Sequence, residues 1–324
     1  MTKRKFSQLK PLFEQRMSEL LSNKEDFNKY LDSIKEYPMK SIRCNTLKIS
    51  PEKLKKRLEE KDWKIKLPFK KYPEIMIIEN HLVPGELGKS IEHFLGHYYV
   101  QDLSSMIPAI ALAPKQEEIV LDLCSAPGSK TTQIAALMKN TGLIIANEMD
   151  FKRKKILSIN LERCGVLNTI ITKKEGSNFS KKIIDKLPEF KFDKILIDAP
   201  CSKEGTIMND PKVIDTWNIK KIKKLSKLQK KLILISIPLL KKSGEIIYST
   251  CTHAPEENEE VINFILEKYP NLKIGTINLP EEIKFRPGLT SWKNKKFSDE
   301  LINTIRIYPQ DNNSEGFFIA KLKR

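Results

Sequence analysis

Two cysteines stand in matched surroundings, each a few residues after a short apolar run. Cys201 follows Ile195–Ile197 in KILIDAPCSKEGT, and Cys251 follows Ile246–Tyr248 in EIIYSTCT. Short apolar runs bounded by polar residues predict buried strands. Parallel strands that end at one edge of a sheet place the residues that follow them in a common crevice. The sequence therefore predicts two neighbouring thiols, one of them suited to nucleophilic catalysis.

A tight turn follows a third apolar run. Ile119–Leu123 opens into CSAPGSK (Cys124–Lys130), which leads into a helix. Backbone N–H groups at such a turn point into the crevice beyond the strand ends. The turn has one glycine, Gly128, and matches neither GxGxxG nor GxxxxGK[ST]. This favours a cofactor without a pyrophosphate over NAD or ATP, and an ordinary strand-to-helix turn is the alternative.

Carboxylate side chains stand at or just after the ends of three predicted strands. Glu148 ends the second strand about twenty residues after the turn, where a carboxylate can accept both ribose hydroxyls of a nucleoside. Glu175 follows the third strand and is either a contact for an adenine amino group or a surface charge. Asp198 ends the strand before Cys201, a position that packing explains poorly. Together they indicate a bound adenosine.

Strands and helices alternate strictly from about Ser104 onward, which predicts a parallel sheet with right-handed crossovers and helices on both faces. The last two of the β-rich segments that close the chain are separated by the polar stretch PQDNNSE and predict an antiparallel hairpin. The predicted strands are Ile119–Leu123, Leu143–Asn147, Thr169–Thr172, Lys194–Ile197 and Glu245–Ser249. The predicted helices are Ser104–Leu112, Ser129–Lys139, Phe151–Cys164, Ser180–Leu187 and Ile219–Lys241, with a further helix in PEENEEVINFILEKY, and the closing segments are Leu272–Ile277, Thr304–Tyr308 and Gly316–Lys321.

Residues 1–95 show a different pattern. Apolar positions such as Phe6 and Phe13 predict a helix over residues 1–40. A strand in SIRCNTLKIS, a helix starting at Pro51 and strands in DWKIKLPF and EIMIIEN follow. Because 324 residues exceed what one core usually needs, we expect two domains, a basic one over 1–95 and a second over 96–324.

The net charge is +17 and the isoelectric point is near 9.4, which indicates a polyanionic partner such as nucleic acid. Solvated lysine-rich helix faces are the alternative, and this applies above all to the basic helix Lys220–Lys231. No apolar run reaches the ~20 residues of a membrane span, and the first residues lack the apolar core of a signal peptide. We therefore expect a cytoplasmic protein that does not bind membranes.

The five cysteines include no CxxC pair and are accompanied by four histidines. This composition speaks against a zinc site and against a disulfide framework. Cys44 and Cys164 are interpreted as packing residues. For Cys201 and Cys251 the alternative to chemistry is that both are small buried apolar residues.

The motifs LDLCSAPGSKT, DAPCS and YSTCT, in this order, resemble the Nol/Nop/Sun-type (Sun/Fmu) RNA cytosine-5 methyltransferases. RCNTLK (Arg43–Lys48), YVQD (Tyr99–Asp102) and EGFFIAKL (Glu315–Leu322) extend the resemblance. It implies a Rossmann-like class I methyltransferase sheet, an RRM-like N-terminal domain that binds RNA, and S-adenosylmethionine as methyl donor. A compact chain without a long basic tail favours tRNA over ribosomal RNA, and a monomer is expected.

The resemblance also implies roles for individual residues. Cys251 would add to carbon 6 of cytosine, Cys201 would assist product release, and Asp198 would contact both the base near nitrogen 3 and the cofactor. Lys130 would orient Asp198 or a phosphate, with a plain surface lysine as the alternative. The residues implied to bind the cofactor are Cys124, Ser125, Ala126, Pro127, Gly128, Ser129, Lys130, Glu148, Arg153, Glu175 and Asp198.

The sequence departs from the family pattern at two places. Glu175 stands where the family usually has Asp, so its adenine contact is open. KEGTI replaces the common GTGTI after DAPCS, so Lys203 and Glu204 leave the shape of that loop open. Three alternatives remain: a ribosomal RNA cytosine-5 methyltransferase, a methyltransferase for exocyclic amino groups, against which DAPC speaks, and a non-catalytic RNA-binding assembly factor with the same fold.

Overall fold

The structure, a computed structural model, describes residues 9–21 and 23–324, without the side chains of residues 176–178. The single helix predicted over residues 1–40 is instead two helices, α1 (Pro11–Leu20) and α2 (Lys24–Ser33). Asn23 separates them, because its extended backbone caps α2 and its side chain accepts a hydrogen bond from the Asp26 N–H at 2.9 Å. Phe6 of the predicted helix lies outside the described residues.

The N-terminal region forms a four-stranded antiparallel sheet of strand order β2-β3-β1-β4. The order of its elements, βαββαβ, is the one expected for an RRM-like domain. Its fourth strand lies beyond residue 95, so the first sheet extends past the boundary expected from the sequence. The elements are β1 (Lys40–Cys44), α3 (Pro51–Glu59), β2 (Ile65–Lys66), β3 (Ile75–Ile78), α4 (Glu86–Lys89), α5 (Ile91–Phe94) and β4 (Tyr98–Val100).

A second, larger sheet has the strand order β11-β14-β15-β9-β8-β5-β6-β7, with β10 paired to β15. Strands β7, β6, β5, β8 and β9 are parallel, and β15 and β14 are antiparallel, which confirms the predicted sheet and its closing hairpin. The helices are α6 (Leu103–Leu112), α7 (Ser129–Leu137), α8 (Phe151–Cys164), α9 (Gly176–Lys186), α10 (Val213–Thr216), α11 (Ile219–Ser236), α12 (Glu259–Lys268) and α13 (Pro309–Asn312). The strands are β5 (Ile119–Asp122), β6 (Leu143–Asn147), β7 (Thr169–Thr172), β8 (Phe192–Asp198), β9 (Leu240–Thr250), β10 (Lys273–Ile274), β11 (Arg286–Pro287), β12 (Ser291–Trp292), β13 (Lys295–Lys296), β14 (Ile305–Ile307) and β15 (Phe317–Lys323), and β12 and β13 form a separate pair.

Several element boundaries differ from the sequence-based expectation. The helix predicted over Ile219–Lys241 ends at Ser236, because Pro238 disfavours the helical conformation of the residue before it and turns the chain into a short 3-10 segment. Strand β9 then begins at Leu240. The predicted segment Leu272–Ile277 contributes just two residues to the sheet, as β10.

The large sheet is buried on both faces. In β8, Ile195 and Ile197 pack on one side with apolar residues of α11 and α12, while Leu196 packs on the other with those of α6 and α7. This two-sided burial explains why its strands read as continuous apolar runs. None of the described helices is long and apolar enough to cross a membrane.

Candidate active site

The two thiols predicted from the sequence are neighbours. Strands β8 and β9 are paired in parallel with Asp198 opposite Ser249, so the chain leaves both strands at the same edge of the sheet. The Sγ atoms of Cys201 and Cys251 lie 3.3 Å apart. The hydrogen bond to Cys251 and burial raise the pKa of Cys201 well above its usual value. Cys201 therefore favours its protonated form, and the two sulfurs are close enough for an S–H···S hydrogen bond in which either can be the donor.

The backbone around Cys251 is held by two glycines. The Gly205 N–H donates to the Cys251 carbonyl at 3.0 Å, and the Gly316 N–H donates to the Gly205 carbonyl at 2.9 Å. A Cβ atom on Gly205 would lie 2.2 Å from the Gly316 carbonyl oxygen. This approach is open to glycine alone, and it fixes the loop after Cys201 against the loop after Cys251.

Asp198 is held in place by two side chains. Lys130 Nζ donates to its Oδ2 at 2.7 Å, and Ser249 Oγ donates to its Oδ1 at 2.8 Å. Lys130 is 6% exposed and also donates to Ser105 Oγ at 3.0 Å. Lys130 is thus a buried partner of Asp198 rather than a surface lysine, and the carboxylate is held in a fixed orientation.

The turn after β5 is tight and leads directly into α7. Gly128 has a φ of +105° and caps α7, and a Cβ atom there would lie 3.0 Å from Leu157 Cδ1. Ser125 donates from both its N–H and its Oγ to the Asn147 carbonyl, at 3.0 and 2.9 Å. The turn is therefore fixed against the end of β6, next to Glu148.

Glu148 and Arg153 lie together beside the turn, whereas Glu175 does not join them. Glu148 is 6% exposed and makes an ion pair with Arg153 at 3.2 Å. Arg153 also donates to the Ala126 carbonyl at 2.5 Å, which connects α8 to the turn. Glu175 is half-exposed and pairs with Lys231 of α11 at 2.9 Å.

Most of these groups line a cavity of about 850 Å³, large enough for a cofactor and a nucleotide base. The predicted cofactor-binding residues Ser125, Gly128, Glu148 and Glu175 are not among its lining residues. The second domain lines it with the turn, the Asp198 strand end and both thiols, and the first domain adds residues from β1 and β4. The predicted site residues that line it are Cys124, Ala126, Pro127, Ser129, Lys130, Arg153, Asp198, Cys201 and Cys251.

Sequence reasoning missed how the first domain contacts the turn. The buried guanidinium of Arg43, in β1, donates to the Ser129 carbonyl and to Thr132 Oγ1, each at 2.7 Å, and to Gln101 Oε1. It also lies over the Tyr99 ring, 5.5 Å from its centre. Arg43 and Gln101 belong to the motifs RCNTLK and YVQD, which resemble the family pattern. The sequence did not show that these two motifs contact each other and the turn.

Buried carboxyl groups of the site were missed as well. The Glu315 N–H donates to Asp102 Oδ1 at 3.2 Å, and the Glu315 carboxylate accepts from Asn209 Nδ2 at 2.7 Å. Burial raises the pKa of Glu315 to about 8. Burial also raises the pKa of Asp122 to about 7, although Thr131 Oγ1 donates to its Oδ2 at 2.7 Å. The sequence shows these acids but not that they are buried.

The loop that departs from the family pattern is well packed. Lys203 has a φ of +67°, a conformation that favours glycine. Glu204 is 3% exposed and accepts from Trp217 Nε1 at 2.6 Å and from Thr252 Oγ1 at 3.0 Å. The loop therefore keeps its contact with Gly316 although two of its residues are unusual.

Comparison with known proteins agrees with this fold. A family model described as 16S rRNA methyltransferase RsmB/F matches residues 109–323, and one described as the N-terminal domain of 16S rRNA methyltransferase RsmF matches residues 9–103. The chain is 42% identical over 323 residues to the tRNA (cytosine(49)-C(5))-methyltransferase of Pyrococcus abyssi, which covers 99% of this chain and 98% of that relative. The chain therefore belongs to the RsmB/F family of RNA cytosine-C5 methyltransferases, as the sequence motifs predicted.

Two further similarities bear on substrate and cofactor. The chain is 38% identical to the ribosomal RNA small subunit methyltransferase F of Psychromonas ingrahamii over 98% of its own length, but it spans 64% of that relative. The crystal structure of NSun6 from Pyrococcus horikoshii with SFG, a compound related to S-adenosylmethionine, superposes with a TM-score of 0.79. It is 25% identical, and the match covers 97% of this chain and 98% of that one.

Proposed function

We propose that this protein methylates carbon 5 of cytosine in tRNA, with S-adenosylmethionine as donor and Cys251 as nucleophile. The observation that carries the proposal is the thiol pair, with its Sγ atoms 3.3 Å apart at a cavity that also contains Asp198 and the turn after β5. Carbon 5 of cytosine is too weak a nucleophile to accept a methyl group unaided. A thiol that adds to the ring removes this difficulty.

The residues around the turn fit S-adenosylmethionine. Gly128 allows the turn to pack closely against Leu157 of α8, and the carboxylate of Glu148 lies beside the turn with Arg153 as its partner. We infer that the turn holds the cofactor, that Glu148 accepts its ribose hydroxyls and that Arg153 aligns Glu148. When bound, S-adenosylmethionine supplies an electrophilic methyl group.

The protein's own groups then divide the work. The Cys251 thiolate adds to carbon 6 of the base, and the ring electron pair moves towards carbon 5, which becomes nucleophilic. The Cys201 S–H stabilises the sulfur of Cys251 when it carries negative charge. As the thiolate adds, nitrogen 3 of the base takes up a proton from water, and Asp198, held by Lys130 and Ser249, accepts a hydrogen bond from that protonated nitrogen.

Release reverses the addition. Once carbon 5 carries the methyl group, its proton passes to water, the C5–C6 double bond re-forms, and the C6–S bond breaks with its electrons returning to sulfur. The S–H of Cys201, 3.3 Å away, stabilises the departing thiolate. This accounts for two thiols where the addition step needs one.

Transfer RNA is favoured as substrate by the relative that matches over nearly its whole length. The ribosomal RNA methyltransferase F relative is longer than this chain, which leaves ribosomal RNA as the second candidate. We infer that the RRM-like first domain grips the RNA, since it lines the cavity with β1 and β4. Because one chain completes the cavity, we expect a monomer, acting on RNA in the cytoplasm.

The test is to incubate the purified protein with methyl-labelled S-adenosylmethionine and separate tRNA and ribosomal RNA pools, followed by bisulfite sequencing. We expect label in tRNA and bisulfite-resistant cytosines. Label in ribosomal RNA alone would replace the tRNA assignment. Label at bisulfite-sensitive positions would indicate an exocyclic target, and RNA binding without label would indicate an assembly factor.

A further inference from the structure

Two lysines at the catalytic cavity form no ion pair with a described residue, although burial raises the pKa of Glu315 and the charge of Lys203 acts on that group to lower it. Of the four basic residues that line it, Lys130 is paired with Asp198 and Arg153 with Glu148. Lys40 and Lys203 make no ion pair or side-chain hydrogen bond with any described residue, and both are exposed. Their charges are thus available to a ligand.

Lys203 occupies a backbone position that does not suit it. Its φ of +67° is left-handed, a conformation that is strained for a residue with a side chain but not for glycine. The conformation is imposed, because Gly205 is held between the Cys251 carbonyl and Gly316 and the Lys203 carbonyl accepts from the Thr206 N–H at 3.0 Å. Glycine would adopt this conformation without strain, which suggests that the Lys203 side chain has a function.

The two lysines come from different domains. Lys203 follows Cys201 by two residues, and Lys40 begins β1 of the first sheet. The cavity between them also contains Asp102, Asp198 and Glu315. Asp198 is already paired with Lys130 and burial raises the pKa of Glu315 to about 8, so the two exposed lysines carry unpaired positive charge that would attract a phosphate group.

We propose that Lys203 and Lys40 form a phosphate-binding subsite that holds the RNA backbone next to the target nucleotide while its base enters the cavity. The inference rests on the proposed function. A base turned out of its stack needs a grip on the flanking backbone. A lysine ammonium supplies such a grip as a point charge, and two lysines from two domains fix the strand across the domain junction.

The test compares Lys203→Gly with a matched control, Lys139→Gly. Lys139 is also exposed and left-handed, with a φ of +54°, but it follows α7 at the opposite edge of the sheet. Both variants relieve strain, so both should unfold at or above the wild-type temperature. We expect Lys203→Gly alone to raise the Kd for a tRNA about 5–10-fold and to lower the slope of log Kd against log salt by about 1.

Further variants complete the design. Lys203→Gln keeps the strained backbone but removes the charge, so it should weaken RNA binding as Lys203→Gly does, and Lys40→Gln should lower the salt slope likewise. Affinity for S-adenosylmethionine should stay unchanged in all of them. An unchanged salt slope for Lys203→Gly, or an equal loss for Lys139→Gly, would overturn the subsite. A wild-type protein that binds tRNA without forming 5-methylcytosine would instead overturn the proposed function.

Discussion

The sulfur atoms of Cys201 and Cys251 lie 3.3 Å apart at the ends of two adjacent parallel strands. This distance exceeds the ~2.05 Å of a disulfide bond but allows an S–H···S contact. The pKa of Cys201 is raised by that contact and by burial, so the two thiols are not equivalent. In the proposed mechanism Cys201 keeps its proton and Cys251 attacks the base.

Because the two cysteines have different proposed roles, substituting each by alanine should give opposite results. Cys251→Ala should abolish methyl transfer and form no covalent complex with RNA, because the nucleophile is gone. Cys201→Ala should still attack cytosine but release it slowly, so that enzyme and RNA accumulate as an adduct. Denaturing gel electrophoresis with labelled tRNA and S-adenosylmethionine distinguishes the two.

Cys164→Ala is the matched control for both thiol variants. Cys164 is a buried cysteine at the end of α8, outside the cavity-lining set, and its loss should change neither transfer nor adduct formation. If Cys251→Ala gave the denaturation-resistant band and Cys201→Ala did not, the roles of the two sulfurs would be exchanged.

The contacts of Arg43 predict that the first domain supports cofactor binding. Arg43→Lys loses the planar fork that reaches the Ser129 carbonyl and Thr132 Oγ1, and leaves buried acceptors unsatisfied. We expect the Kd for S-adenosylmethionine without RNA to rise about tenfold, as measured by isothermal titration calorimetry. Arg57→Lys, in the same domain, changes a half-exposed contact with Glu92 at 3.5 Å and should leave this Kd unaltered. Equal affinities for wild type and Arg43→Lys would show that the contact merely joins the domains.

The sequence predicted the positions of the two thiols but not the contacts of Arg43, and the reason is physical. Strand ends follow from local apolar runs, and parallel pairing alone then brings Cys201, Cys251 and Asp198 to one edge. The partners of Arg43 depend instead on how two domains dock, which no local pattern records. The same holds for Asp102 and Glu315, whose burial results from contact between distant segments.

The conformation of Gly128 predicts a cost for any side chain there. Gly128→Ala places a Cβ at a φ of +105° and 3.0 Å from Leu157 Cδ1. We expect a loss of about 1–2 kcal/mol in the free energy of unfolding, measured by urea denaturation, and weaker binding of S-adenosylmethionine. Gly88→Ala, in helix α4, is the control, since its Cβ would meet nothing within 4 Å. It should be neutral or stabilising, and an equally neutral Gly128→Ala would contradict the role given to the turn.

The raised pKa of Glu257 predicts that the free energy of unfolding depends on pH. Burial raises its pKa to about 8, although the carboxylate accepts from the Ser202 N–H at 3.1 Å and from Gln229 Nε2 at 2.7 Å. A carboxyl group with a raised pKa binds its proton more tightly in the folded state, so its contribution is complete below about pH 4.5 and is lost as the pH rises to about 8. Wild type should lose stability relative to Glu257→Gln by at most about 1.4 kcal/mol per pH unit over this range.

The comparison of urea unfolding between pH 5 and pH 9 isolates this group, because all other titrations are common to both proteins. Glu282→Gln provides the control. The Lys70 N–H holds the pKa of Glu282 below its usual value, so this group is ionised in both folded and unfolded chains above about pH 5.5. Its stability difference from wild type should therefore stay constant. A constant difference for Glu257→Gln as well would mean that Glu257 is ionised in the native protein. The Ser202 N–H next to Cys201 would then donate to a full negative charge.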